Sequence, residues 1–186
     1  MTTLRIYDLR NGRGLALDLR DLIDLLAPRS LEASWTVSPV NVECPTLGRS
    51  IDQFEMTGPG RPGQDLLEVL AANGSSVSGV TFSEAAHEAR QVIWGQFVAT
   101  QPEQKDAWVV IRAIDSTFYE ITTSDEMVLA KIRSAYKDVR VALGPVTSAP
   151  IPRVPHEGTA THSSRRIAAT VEMTGTFGYT QIKISL

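Results

Sequence analysis

The chain has 186 residues, a net charge of −3, 42% hydrophobic and 21% charged residues, which suits one globular domain with a sizeable core and an appendage. Mild acidity argues against nucleic acid as a partner, because nucleic-acid binders normally present a basic surface. No window approaches the ~20 apolar residues of a membrane span.

Charge is unevenly spread. Residues 145–186 hold four Lys/Arg against two Asp/Glu, so an acidic body precedes a mildly basic tail. Cys44 is the single cysteine, which excludes an internal disulfide and suits a reducing, cytoplasmic setting. The residues from Met1 to Asp8 lack the apolar run of a secretory leader.

Leu4-Arg5-Ile6-Tyr7 alternates and predicts a short strand, with a turn at Asn11-Gly12-Arg13-Gly14. Asp18, with Asp21 three residues on, marks a helix start. Leu19, Leu22, Ile23 and Leu26 give that helix an apolar stripe, and Pro28 stops it. Asp18, Asp21 and Asp24 project away from the stripe, where solvation accounts for them, and they are the candidate partner-binding carboxylates.

Residues 35–42 read as one strand, which Pro39 places at a sheet edge. Ser50-Ile51-Asp52-Gln53 matches a capping box and predicts a short helix. Residues 57–63 form a loop by composition. Residues 64–72 carry Leu66, Leu67 and Leu70 on one helical face and stop at Asn73-Gly74. After a connector at 77–80, Ser83 is expected to cap a helix with Ala85, Ala86, Ala89 and Val92 turned inward.

Residues 95–100 and 107–114 are expected to pair as an antiparallel hairpin. The second run is apolar on both faces except for Arg112, the pattern of a strand covered on both sides. Its Trp108, Val110 and Ile114 are expected beside Leu129 and Ile132. Residues 118–121 continue the sheet. Thr123-Ser124-Asp125-Glu126 reads as a capping box for a helix bearing Val128, Leu129, Ile132 and Tyr136, and residues 139–143 read as a further strand.

Pro145, Pro150, Pro152 and Pro155 then produce an extended connector. The expected organisation is an α+β domain over residues 1–144, a Pro-rich connector over 145–156, and a loop with a β-hairpin over 157–186. The domain should hold three to five short helices and a mixed, mainly antiparallel sheet. An isolated hairpin is barely stable in water, so the apolar face of the tail (Ile167, Val171, Ile182, Ile184) needs a body to dock on. A homodimer formed through this tail is one outcome.

The candidate chemistry is sparse. Asp115, at the end of the buried strand, and Glu120 offer two carboxylates that would suit a divalent metal, with Lys131 or Arg112 stabilising negative charge. The competing reading makes Asp115 and Ser116 turn residues. Ser163, Ser164, Arg165 and Arg166 combine hydroxyls with guanidinium forks and are the candidate phosphate ligands. His87 lacks the i, i+4 histidine partner of a helical metal pair, and His156 and His162 have no cysteine nearby. Gly58-Pro59-Gly60-Arg61-Pro62-Gly63 is no phosphate loop, since prolines replace donor amides and no Lys-Ser/Thr follows. Glu43 beside Cys44 would raise the thiol pKa. Trp35, Trp94 and Trp108 read as core or interface anchors.

With no convergent catalytic set and no cofactor fingerprint, the leading expectation is a non-catalytic cytoplasmic module that binds another protein. An immunity or antitoxin-like protein, or an accessory subunit of a larger bacterial system, would have this character. A small metal-dependent phosphodiester hydrolase using Asp115, Glu120 and Lys131 is the alternative. A nucleotide or small-ligand sensor using the tail arginines ranks third.

Overall fold

The computed structural model describes residues 1–10, 13–44, 49–58 and 61–142, all within a compact unit spanning Met1–Ile151. The connector and hairpin expected over 145–186 lie outside the described residues, as do Ser163, Ser164, Arg165, Arg166, His156 and His162.

Strand β1 (Thr2–Ile6) precedes a small ribbon of β2 (Leu9–Arg10) and β3 (Arg13–Leu15). Helices α1 (Leu19–Leu25) and α2 (Arg29–Glu32) lead into β4 (Ser34–Ser38). A second ribbon follows, of β5 (Val40–Cys44) and β6 (Arg49–Gln53), then the short β7 (Glu55–Met56). Next come α3 (Pro62–Asn73), β8 (Ser76–Ser78) and α4 (Gly79–Glu88). The central strands β9 (Val92–Thr100), β10 (Ala107–Ile114) and β11 (Phe118–Thr123) are followed by α5 (Glu126–Ala135) and β12 (Val139–Val141).

The main sheet runs β12-β1-β11-β10-β9-β4-β8, with β7 paired to β9. Each of these pairings is antiparallel. The α+β class follows directly. Leu22 and Ile23 of α1, Leu67 and Leu70 of α3, Phe82 and Ala85 of α4, and Leu129 and Ile132 of α5 share one core with Leu4, Trp35, Phe97, Ile111 and Ile121 of the sheet. The helices therefore cover one face of the sheet. On the reverse face the β5–β6 ribbon brings Val40, Val42 and Ile51 against Trp94, with Ile114 packed alongside.

Local chemistry explains most boundaries. Asp18 precedes α1, and its N–H donates to the Asp21 carboxylate at 2.6 Å, so the expected start is observed. Pro62 opens α3, where its missing N–H costs nothing, and Gly74 ends it in the left-handed conformation at φ +60.

Five expectations need correction. Residues 35–42 are two strands, because the chain leaves the main sheet at Pro39. Strand β4 lies between β9 and β8, so it is not an edge. Residues 50–53 are part of strand β6, where Ile51 joins the apolar cluster on the reverse face. A cap signature without helical apolar spacing behind it did not suffice. Ser78, not Ser83, caps α4 by accepting from Thr81 N at 3.2 Å, and Val92 already belongs to β9. Asp125, not Thr123, caps α5, accepting from Met127 N and Val128 N.

The last correction concerns β10. A register shift between Ala107 and Val109 changes the strand's phase. Val109, Ile111 and Ala113 consequently face the helices together with Leu129 and Ile132. Trp108 still reaches that core, but Val110 shares the reverse face with Arg112, and Ile114 packs against the β5–β6 cluster.

Candidate functional site

Two features stand out among the described residues, and strand register builds the first. The first is a polar row across the reverse face of the sheet. Cross-strand pairing aligns Ser38 with Gln96, Gln96 with Arg112, Arg112 with Glu120, Glu120 with Arg5, and Arg5 with Arg140. The side chains bond along this line. Gln96 Nε2 donates to Ser38 Oγ at 3.3 Å, and Arg112 Nε donates to Gln96 Oε1 at 2.8 Å. Arg112 Nη1 reaches Glu120 Oε1 at 2.9 Å, and Arg5 Nε reaches Glu120 Oε2 at 3.1 Å.

Glu120 keeps only 2% of its side-chain exposure and Arg112 9%. A buried carboxylate held by two guanidinium groups has both oxygens occupied, which is a structural arrangement and leaves little for a metal. Sequence reasoning missed the Arg112–Glu120 pair. The signal was present: a cation inside an otherwise apolar strand needs a partner, and a tight turn at 115–117 places residue 120 opposite residue 112.

Asp115 lies in that turn. Thr117 N donates to Ile114 O at 2.9 Å, and Asp115 and Ser116 both adopt positive φ, +52 and +53. This is the paired left-handed geometry that joins antiparallel strands tightly. Ser116 N also donates to Ile93 O at 3.3 Å. Lys131, on α5, donates to the carbonyls of Leu25 and Ala27 at 3.3 and 3.4 Å. Asp115, Glu120 and Lys131 thus engage three different sets of partners, and the structure does not bring them together.

The acidic residues of α1 also divide. Asp18 pairs with Arg20, Asp21 accepts from the Asp18 amide, and Asp24 faces His87 Nε2 at 3.1 Å. His87 Nδ1 simultaneously faces the Ser83 carbonyl at 2.8 Å. Both ring nitrogens meet acceptors, so the imidazolium satisfies them best. The Ser83 carbonyl above all, then Asp24, raises the His87 pKa against the opposing effects of partial burial and Arg20.

The second feature is a cleft of about 600 Å³ lined by Met1, Arg29, Lys105, Asp106, Trp108 and Asp125, with Gln104, Ala107 and Ser124. Its wall is a tightly bonded cluster. The Arg29 guanidinium lies 4.4 Å above the Trp108 ring and pairs with Asp125. Trp108 Nε1 donates to the same carboxylate at 2.9 Å. Thr123 Oγ1 donates to Trp108 O at 2.7 Å and accepts from Asp125 N at 3.0 Å. Gln101 Nε2 donates to Arg29 O at 3.2 Å.

Asp125 is therefore helix cap, indole acceptor and guanidinium partner at once. Partial burial opposes its ionisation, but hydrogen bonds from Trp108, Arg29, Met127 and Val128 prevail and hold its pKa below the ordinary carboxylate range. The cleft offers a fixed Arg–Trp wall and a charged rim at Lys105 and Asp106. Such a surface can bind and orient. Asp125 is too firmly engaged to serve readily as a base.

Among the described residues no group of three or more His, Cys, Asp or Glu is placed to hold a metal ion, and no helix is long and apolar enough to cross a membrane. Comparisons with protein-family models, with curated proteins and with solved structures gave no match.

Proposed function

We propose that this protein is a non-catalytic binding module whose ligand is another protein, engaged through the Arg29–Trp108–Asp125 cleft. The observation that carries this reading is the arginine held on the indole face at 4.4 Å beside an open volume of about 600 Å³. Trp and Arg are the residues that most often dominate binding energy at protein interfaces. A side chain already fixed in one geometry loses less entropy on binding than a free one. The Arg29 side chain retains 34% exposure, so it can meet a partner while remaining stacked.

The reading includes a cytoplasmic setting, suited to a single cysteine, and self-association into a homodimer. Affinity capture from the native host, run in parallel with wild-type protein and Arg29→Ala, tests the central part. A defined protein retained by the wild type and lost with Arg29→Ala is the expected result. Equal retention by both would remove the cleft from the interaction. Light scattering on the purified chain tests self-association, and a monomer at micromolar concentration would contradict it.

A further inference from the structure

Between β4 and β7 the chain makes an excursion from the main sheet, and the two feet of that excursion stand close together. Strand β4 pairs along β9 from Ser34, opposite Thr100, to Ser38, opposite Gln96, and β7 resumes with Glu55 opposite Trp94. The chain thus leaves the sheet beside Gln96 and rejoins it beside Trp94. Both feet are pinned. Gln96 Nε2 donates to Ser38 Oγ at 3.3 Å, and the Phe54 ring meets that of Phe97 edge-on at a centroid distance of 6.2 Å.

The excursion itself is held differently. Strands β5 and β6 pair with each other, Val42 opposite Ile51 and Asn41 opposite Asp52, and form a sheet of their own. Alternation turns Val40, Val42 and Ile51 inward, each at most 3% exposed, and leaves Asn41 and Asp52 in solvent. The three inward side chains meet Trp94, with Ile93 and Ile114 alongside, in a cluster separate from the main core. A two-stranded ribbon is marginally stable on its own in water. This small cluster, and not a ladder of main-sheet hydrogen bonds, therefore keeps the ribbon on the sheet.

We infer that the β5–β6 ribbon is a strap that opens from the reverse face as a unit while the helices and the main sheet stay folded. Its opening breaks no strand pairing of the main sheet and removes no side chain from the core that the helices share. Segments held by few apolar contacts open at lower free energy than the whole domain unfolds, and they do so as cooperative units. The pinned feet confine the movement to the ribbon. What the open strap uncovers is an apolar ledge of Trp94, Ile93 and Ile114, two residues along β9 and β10 from the bonded pair Gln96 and Arg112. The closed strap hides that ledge, so the protein has two states that differ in the apolar surface they present.

Hydrogen exchange read by mass spectrometry on the full chain, over a series of low urea concentrations, tests the inference. Amides of β5 and β6 should be protected, yet should exchange about a hundredfold or more faster than those of β10 and β11. Urea should barely change the ribbon rates, because a local opening exposes little surface, whereas β10 and β11 should show the steep dependence of global unfolding. Ile51→Asp gives a second reading. The new carboxylate escapes into water when the strap opens, so the cost is limited to that of opening. This variant should fold and unfold cooperatively by circular dichroism, with the ribbon amides unprotected and those of β10 and β11 still protected. Equal rates and equal urea dependence in the ribbon and the central strands, or failure of Ile51→Asp to fold, would overturn the inference. So would wild-type ribbon amides with no protection, since the strap would then have no closed state.

Discussion

Arg112 and Glu120 face each other across β10 and β11, and their side chains meet at 2.9 Å where almost no solvent reaches them. An ion pair so placed stabilises less by existing than it destabilises when halved. Removing one partner of a buried pair typically costs about 3–5 kcal/mol, whereas replacing both by apolar groups can be close to neutral. Urea unfolding should show Glu120→Ala as the more destabilised variant and Arg112→Met/Glu120→Leu as nearer to wild type. Equal losses would mean that water compensates the stranded arginine.

The turn after β10 gives a sharper test of the discarded chemistry. Asp115 and Ser116 both hold positive φ, and Asn-Gly is the pair that this geometry prefers. Asp115→Asn/Ser116→Gly should therefore raise stability by about 0.5–2 kcal/mol, the usual range for optimised local geometry. A loss of stability would show that the Asp115 carboxylate has a role beyond the turn.

His87 and Asp125 bracket the pH behaviour from opposite sides. His87 has a raised pKa, so its tie between α4 and α1 contributes fully below the ordinary histidine value and fades as pH rises through the raised one. Asp125 has a lowered pKa, so its contribution is present above the ordinary carboxylate value and is lost as pH falls through the lowered one. Thermal unfolding of His87→Gln should match the wild type at alkaline pH and fall below it at mildly acidic pH. Proton NMR titration of the His87 ring should give a pKa above 6.5, and a value below that would contradict the paired-acceptor geometry.

Close packing of α4 on α2 is a third point of strain sensitivity. A Cβ on Gly79 would lie 2.2 Å from the Ser30 carbonyl oxygen, closer than atoms can approach, so Gly79→Ala must push the two helices apart. Overpacking of this kind costs about 1–3 kcal/mol. Denaturant unfolding of Gly79→Ala should show that loss, while Gly74→Asn should cost less, because its Cβ position is open and asparagine tolerates the left-handed φ of +60 better than other side chains.

Much of this architecture was legible in the sequence, and the misses share a cause. The β9–β10 pair, the α1 start at Asp18 and the α3 stop at Gly74 were readable because apolar spacing and local turn chemistry agreed there. At Ser50 the cap signal had no helical apolar spacing behind it, whereas at Thr123 the spacing was right and the helix formed, with its cap two residues further on. Tertiary packing of Ile51 decided the first, and the bond from Thr123 to the Trp108 carbonyl displaced the cap to Asp125 in the second. The facing of β10 was hidden because both of its faces are apolar, so a one-residue register shift left no trace in composition. The cleft was invisible for a different reason: Arg29, Trp108 and Asp125 are far apart in sequence and meet only through the fold.

The central strand can be probed directly. Ile111 is fully buried against the helices, and an unpaired carboxylate there would cost several kcal/mol, about the stability of a whole domain. Ile111→Asp should fail to fold by circular dichroism, while truncation after Gly144 should leave a cooperatively unfolding body. A folded Ile111→Asp would place solvent on that face and contradict the layered arrangement.

Site-specific photo-crosslinking in the native host tests the binding module most directly. A photoreactive residue replaces Lys105 on the rim of the cleft, and Val69 on the exposed side of α3 serves as the comparison site. The account predicts one discrete protein adduct from position 105, abolished by Arg29→Ala, and none from position 69. No adduct from position 105, or the same adducts from both positions, would contradict it.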